Sequence, residues 1–154
     1  MYQHVMVPLD GSELAECVLP HVEEVAGGCS IKKVTLVRVV EPLHLYGGME
    51  SRIGPEERRK LEADAVNIAR SYLDQVAKRL KEKGLAVESE VLYGKVADEL
   101  TAYVDKNGVD LVVISTHGRS GVSHWVWGSV ADRILRSVCV PIFMVRAPGC
   151  VSGF

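Results

Sequence analysis

Short apolar runs alternate with amphipathic stretches along the chain. Five runs are predicted to form strands: residues 4–9, 33–40, 86–92, 110–115 and 141–146. Between them, apolar side chains recur at helical spacing in four stretches: residues 13–26, 55–83, 96–106 and 129–137. Strands that alternate with helices indicate parallel β-α-β units. We therefore expect an α/β fold, a three-layer α/β/α sandwich with a five-stranded parallel sheet.

The first helical stretch contains two signals that bear on its shape. Pro20 removes an intrahelical hydrogen bond and clashes with the preceding turn, so we expect a kink or a restart near Leu19 and Pro20. Gly27 and Gly28 follow the last residues of the apolar pattern, and glycine commonly ends helices. We therefore predict that the helix stops at this glycine pair.

Size and charge exclude several classes of protein. The chain has 154 residues, 47% of them hydrophobic, which predicts one domain over residues 1–146 and a tail over 147–154. A net charge of −2 argues against a nucleic-acid partner. No apolar run approaches the roughly 20 residues of a membrane span, and no secretory signal precedes residue 10, so we expect a cytoplasmic protein without a membrane partner. The four cysteines form no C-x-x-C pair, which argues against structural zinc.

In an open parallel sheet, ligands bind beyond the carboxyl ends of the strands, where the strand order reverses. The candidate loops are residues 10–12, 39–42, 93–95 and 115–128. The last loop combines small, hydroxyl and cationic residues and ends at a helix: Ser115, Gly118, Arg119, Ser120, Gly128 and Ser129. Glycines let backbone amides approach an oxyanion, and a helix N-terminus adds unpaired amides, so this loop is typical of a phosphate site.

Simpler interpretations of the same residues stay open. The glycines of this loop could serve turn geometry alone, and Ser129 could be a plain N-cap. Asp10 could cap the first helix, since Asp10-x-x-Glu13 has the spacing of a capping box. The loop histidines His117 and His124 lack a recognisable nucleophile or an orienting carboxylate, so we predict no catalytic residue.

The loop also resembles that of the universal stress protein family, of the ATP-binding kind. The family pattern is Gly-x-x-Gly, nine residues and Gly-Ser or Gly-Thr, and here Gly118, residues 119–127 and Gly128-Ser129 follow it. Ser115 stands where the pattern has its first glycine. Residues 7–12, 37–40 and 140–146 are similar to the family's opening, second and closing strands, and the resemblance covers residues 3–146.

The resemblance implies a Rossmann-like topology of the adenine nucleotide α-hydrolase kind and a bound ATP, ADP or AMP. It implies that Pro8, Leu9, Asp10 and Val39 border adenine and ribose, Asp10 through its carboxylate and Val39 through its main chain. The phosphates would lie against the residues of the loop and the following helix: Ser115, Gly118, Arg119, Ser120, Gly128, Ser129 and Val130. Mg²⁺ would be held mainly through the phosphates.

The family resemblance further implies a homodimer joined through residues 141–146. The interpretation is physically reasonable because an apolar edge strand should be covered by a partner. The leading hypothesis is a regulatory module that binds an adenine nucleotide and is not an enzyme. Two alternatives stay open. One is a slow ATP hydrolase, and the other is a structural or chaperone-like dimer of the same fold that binds no nucleotide.

Overall fold

A computed structural model describes residues 2–43, 53–116 and 128–147 of the chain. Their helices and strands follow one another in this order: β1 (His4–Pro8), α1 (Glu13–Glu16), α2 (Leu19–Cys29), β2 (Lys33–Val40), α3 (Pro55–Glu82), β3 (Val87–Tyr93), α4 (Val96–Asn107), β4 (Leu111–Ser115), α5 (Ser129–Ser137) and β5 (Ile142–Val145). The predicted alternation of strands and helices is confirmed.

The five strands form one parallel sheet in the order β3-β2-β1-β4-β5. Val5 of β1 is in register with Val34 of β2 on one side and with Leu111 of β4 on the other. The chain therefore builds outward from β1 in one direction and then returns to add β4 and β5 in the other. This reversal between β1 and β4 is the point at which parallel sheets commonly bind ligands.

Two separate apolar cores cover the two faces of the sheet. One lies against α1, α2 and α3 and includes Val7, Leu36 and Leu73. The other lies against α4 and α5 and includes Met6 and Ile134. Successive strand residues point to opposite faces, so a strand buried on both faces must be apolar at nearly every position. The predicted three-layer α/β/α sandwich is confirmed.

The first helical stretch is interrupted as expected, but its end was predicted wrongly. It forms two helices, and the second begins at Leu19 with Pro20 in its first turn, where a proline needs no amide hydrogen. That helix continues through Gly27 and Gly28 to Cys29 and ends at Ser30, which adopts a left-handed φ of 52°. The glycine pair has helical geometry, so the turn that ends the helix falls on a serine instead.

Three further expectations concern membrane spans, the domain boundary and the C-terminal tail. Within the described ranges, no helix is both long and apolar enough to cross a membrane. The single domain over residues 1–146 stays a prediction. Of the predicted tail, only Ala147 belongs to the described residues, so the expectation for 148–154 lies outside them.

Candidate functional site

A cleft of about 670 Å³ opens at the carboxyl edge of the sheet, above the reversal between β1 and β4. Its floor is formed by the ends of β1, β2 and β4, and its walls come from α3, α4 and α5. Apolar side chains such as Val37, Leu100 and Ile114 line much of it, and its charged residues are Asp10, Arg38 and Glu41. A mainly apolar cleft with a few polar groups is typical of a small-molecule site.

The structure brings together the described residues of the predicted site. Eight of them line this cleft: Pro8, Leu9, Asp10, Val39, Ser115, Gly128, Ser129 and Val130. The other three, Gly118, Arg119 and Ser120, lie outside the described residues, as do His117 and His124. Of the four candidate loops, residues 93–95 do not line the cleft, although Val96 directly after them does.

Asp10 lies in a tight turn between β1 and α1. Its Oδ1 accepts hydrogen bonds from the backbone N–H of Ser12 at 2.9 Å and from the Ser12 hydroxyl at 2.6 Å. The Ser12 hydroxyl oxygen in turn accepts the backbone N–H of Ala15, which makes Ser12 the N-cap of α1. The alternative that Asp10 caps the helix in a capping box with Glu13 is therefore excluded, because Asp10 lies two residues before the cap.

The main chain of Val39 faces the space above β1. The Val37 carbonyl accepts the Leu9 N–H at 2.9 Å, so the backbone groups of Val37 point toward β1. Backbone groups of alternate residues in a parallel strand face the same neighbour, so those of Val39 point to the same side. There β1 has already ended at Pro8, and Asp10 turns away into α1. The Val39 amide and carbonyl therefore border the cleft.

The start of α5 forms the opposite rim. Thr116 donates its N–H to the carbonyl of Val145 and its own carbonyl accepts the N–H of Gly128, both at 2.9 Å, so Thr116 and Gly128 meet beside β5. Gly128 is the N-cap of α5 and Ser129 its first helical residue, so the alternative that Ser129 is a plain N-cap is excluded. The first amides of a helix have no acceptor within it and carry its positive dipole end. Here the first residues of α5 border the cleft, an arrangement that suits an anion.

Arg38 lines the cleft but was not predicted as a site residue. Its guanidinium lies over the Tyr72 ring, with Cζ 5.3 Å from the ring centroid. Burial and the hydrogen bond that the Tyr72 hydroxyl donates to Glu16 raise the pKa of Tyr72, which keeps the phenol neutral. The signal in the sequence was an arginine among the valines that end β2, because a charge in a covered part of a strand needs a specific partner.

Comparisons with known proteins agree with this architecture. A family model described as the universal stress protein family matches residues 1–146. A universal stress protein of Methanocaldococcus jannaschii is 26% identical over 148 residues, which are 96% of this chain and 84% of that protein. The solved structure of the hypothetical protein MJ0577 matches with a TM-score of 0.82 and 24% identity, covering 97% of this chain and 99% of that one.

Two further similar structures are complexes with a nucleotide. One is a universal stress protein in complex with cAMP, with a TM-score of 0.63, 19% identity and coverage of 94% and 96%. The other is an Arabidopsis thaliana protein of the universal stress protein family with AMP bound, with a TM-score of 0.67, 17% identity and coverage of 96% and 93%. At these identities the solved structures establish the fold of the chain.

Proposed function

The chain belongs to the universal stress protein family, and on that premise we propose that it is a regulatory module that binds an adenine nucleotide in the cleft above β1 and β4. The observation that carries the proposal is one cleft with two chemically different ends. Apolar side chains and the Val39 main chain border one end, and the amides of the first turn of α5 border the other. A base needs the first surface and phosphates need the second.

The described residues fit the parts of such a ligand. The edge of adenine would meet the main chain of Val39, and the ribose hydroxyls would donate to the Asp10 carboxylate. The phosphates would lie against the amides of Ser129 and Val130, with Gly128 allowing a close approach. By the family's loop pattern, Gly118, Arg119 and Ser120 would add further phosphate contacts. Ser115 would stand beside the phosphates.

ATP is the proposed nucleotide, with ADP and AMP as weaker ligands of the same cleft. Among the described residues, no three His, Cys, Asp or Glu side chains converge in a way that could hold a metal ion. Mg²⁺ requires near-octahedral oxygen ligands and commonly binds through substrate phosphates. We therefore propose that Mg²⁺ enters with the nucleotide and is held chiefly by it.

Two finer points complete the proposal. The module is a homodimer joined through residues 141–146, supported by the place of β5 at an edge of the described sheet, where it pairs with β4. The half-exposed Phe143 ring on this strand supplies an apolar contact surface.

The proposed compartment is the cytoplasm, which keeps free thiols such as those of Cys17, Cys29 and Cys139 reduced.

The purified protein itself provides the first test. After heat denaturation, the supernatant is separated by anion exchange and its ultraviolet-absorbing fractions are compared with ATP, ADP and AMP standards. A sample incubated with Mg·ATP and passed through a desalting column is treated in the same way. We expect an adenine nucleotide in a substantial fraction of the chains in the second sample at least. Absence of nucleotide from both samples would favour the structural dimer that binds none.

A further inference from the structure

Arg38 and Tyr72 form a cluster beside the cleft that the proposed nucleotide contacts do not use. Arg38 lies on β2 and Tyr72 on α3, and the guanidinium covers the tyrosine ring at 5.3 Å. The guanidinium also packs on the turn that holds Asp10. A β-carbon at Gly11 would lie 3.0 Å from its Nη1 and 3.2 Å from its Cζ. Arg38 is therefore held between the ring and the turn.

The other side of the same turn is tied to α3 as well. The turn runs through the Ser12 cap into α1, whose last residue is Glu16. Glu16 accepts a hydrogen bond from the Tyr72 hydroxyl at 2.9 Å and one from Arg79 at 2.8 Å. Tyr72 thus contacts both anchors of the turn, Arg38 through its ring face and Glu16 through its hydroxyl.

The turn needs such anchors because of its own geometry. Gly11 has a φ of +86°, a region that glycine enters without cost, and glycine is also free to leave it. The hydrogen bonds from Ser12 fix the Asp10 carboxylate to the turn, so the carboxylate moves wherever the turn moves. An Å-scale displacement is enough to lose a directed hydrogen bond to a ligand.

We propose that Arg38, stacked on Tyr72, is a positioning residue that holds the Asp10 carboxylate where it recognises the ribose hydroxyls of the nucleotide. The proposal rests on the proposed function, since it needs a nucleotide in the cleft. Arginine suits this role because its planar guanidinium can stack on an aromatic face and pack on a backbone at the same time, which a lysine ammonium cannot do. Sugar discrimination therefore depends on a side chain that need not touch the sugar.

The test compares Mg·ATP with Mg·2′,3′-dideoxyATP, which lacks both ribose hydroxyls, by titration calorimetry. Hydrogen bonds to a charged group predict that the wild type prefers ATP about tenfold or more. Arg38→Met and Tyr72→Leu should reduce this preference to less than about threefold. Arg70→Met, on the exposed face of the same helix, is the control that should keep it. Tyr72→Phe retains the ring under Arg38 but loses the hydrogen bond to Glu16, so its preference should fall between those of the wild type and Tyr72→Leu.

The outcomes separate the inference from the function on which it rests. A purely structural role for Arg38 would weaken both nucleotides equally and leave their ratio unchanged, which overturns the inference while nucleotide binding stands. Equal binding of both nucleotides by the wild type would also overturn the inference, because Asp10 would then not recognise the ribose hydroxyls. Failure of the wild type to bind either nucleotide would end the proposed function and the inference together. If Arg38→Met does not fold by circular dichroism, Tyr72→Leu supplies the same comparison.

Discussion

Ser129 borders the cleft without serving as the cap of its helix. Gly128 is the cap of α5. Replacement of Ser129 by alanine should therefore leave folding stability almost unchanged, because no capping bond is lost and alanine is a good helix former. A neutral hydroxyl that donates to a phosphate contributes through a charge-assisted hydrogen bond.

Ser129→Ala should accordingly weaken Mg·ATP binding about tenfold, as expected for the loss of one hydrogen bond to a charged group. Titration calorimetry measures the affinity, and a thermal melt measures the stability. The matched control is Ser137→Ala, at the other end of the same helix and outside the cleft. Equal affinity of the wild type and Ser129→Ala would remove Ser129 from the phosphate site.

His4 lies at the opposite end of the sheet from the cleft, and we expect it to make the folding stability depend on pH. The residue is 7% exposed, its Nε2 lies 2.9 Å from the Thr35 hydroxyl oxygen, and its Nδ1 lies 3.1 Å from the Asn107 carbonyl oxygen. Burial, followed by the nearby Lys33 ammonium, lowers the pKa of His4 below 6.5. The unfolded chain therefore takes up a proton at a higher pH than the folded chain.

The free energy of unfolding should be level above the unfolded-state pKa and should fall as the pH drops below about 6.5, since protonation then favours the unfolded chain. Urea melts between pH 5 and 8 measure this slope. His4→Gln removes the titrating group and should flatten it, whereas His21→Gln, on the exposed side of α2, should keep it. An identical slope in His4→Gln would show that other groups cause the pH dependence.

At the residue scale, the sequence indicated which positions border the cleft better than it indicated what each does there. The loop pattern, the opening strand and the second strand pointed to eight described residues that the fold indeed brings to one cleft. Their local roles depend on hydrogen-bond geometry over one or two residues. Asp10 accepts hydrogen bonds from Ser12, and Ser12 caps the helix. The sequence Asp-Gly-Ser alone does not say which of the two residues is the cap, because both types are common at that position.

Among the elements, α2 shows that residue types alone do not always predict where a helix ends. Pro20 predicted the restart correctly because its steric effect is local and unavoidable. The glycine pair misled because glycine permits a helix end but does not require one. Neither Gly27 nor Gly28 has a positive φ, and a β-carbon at either position would meet no atom within 4 Å.

Gly27→Ala should therefore raise the free energy of unfolding by about 0.5–1 kcal/mol, because alanine loses less backbone entropy than glycine in a helix. Denaturant melts measure the change. Gly84→Ala is the matched control, since a β-carbon there would also meet open space, but its φ is +87°. That variant should be destabilised. A loss of stability in Gly27→Ala would mean that α2 ends before this residue in solution.

For the whole molecule, alternating apolar runs were enough to predict the layers and the parallel sheet, because a strand covered on both faces has little freedom in composition. The order β3-β2-β1-β4-β5 required more than the pattern, since the runs alone do not say on which side of β1 a later strand adds. The position of Arg38 was likewise not predictable from the pattern, because its neighbours Gly11 and Tyr72 are distant in the chain and meet only in the folded molecule.

The proposed dimer is also tested on the whole molecule. Light scattering at micromolar concentration should return about twice the chain mass of 16.8 kDa. Phe143→Lys, on edge strand β5, should shift the protein to the monomer by placing a charge in the apolar contact. Leu61→Lys is the matched control, because Leu61 on α3 has the same exposed fraction of 41%. A wild type of monomer mass would exclude the dimer.

The most direct measurement of the central claim is a titration of the ¹⁵N-labelled protein with Mg·ATP, followed by amide chemical shifts. We predict that the largest shifts cluster at the cleft, at Asp10, Val39, Ser129 and Val130, while amides at the amino end of the sheet, such as those of His4 and Val87, stay in place. Unchanged spectra at millimolar nucleotide, or shifts confined to residues away from the cleft, would contradict the account.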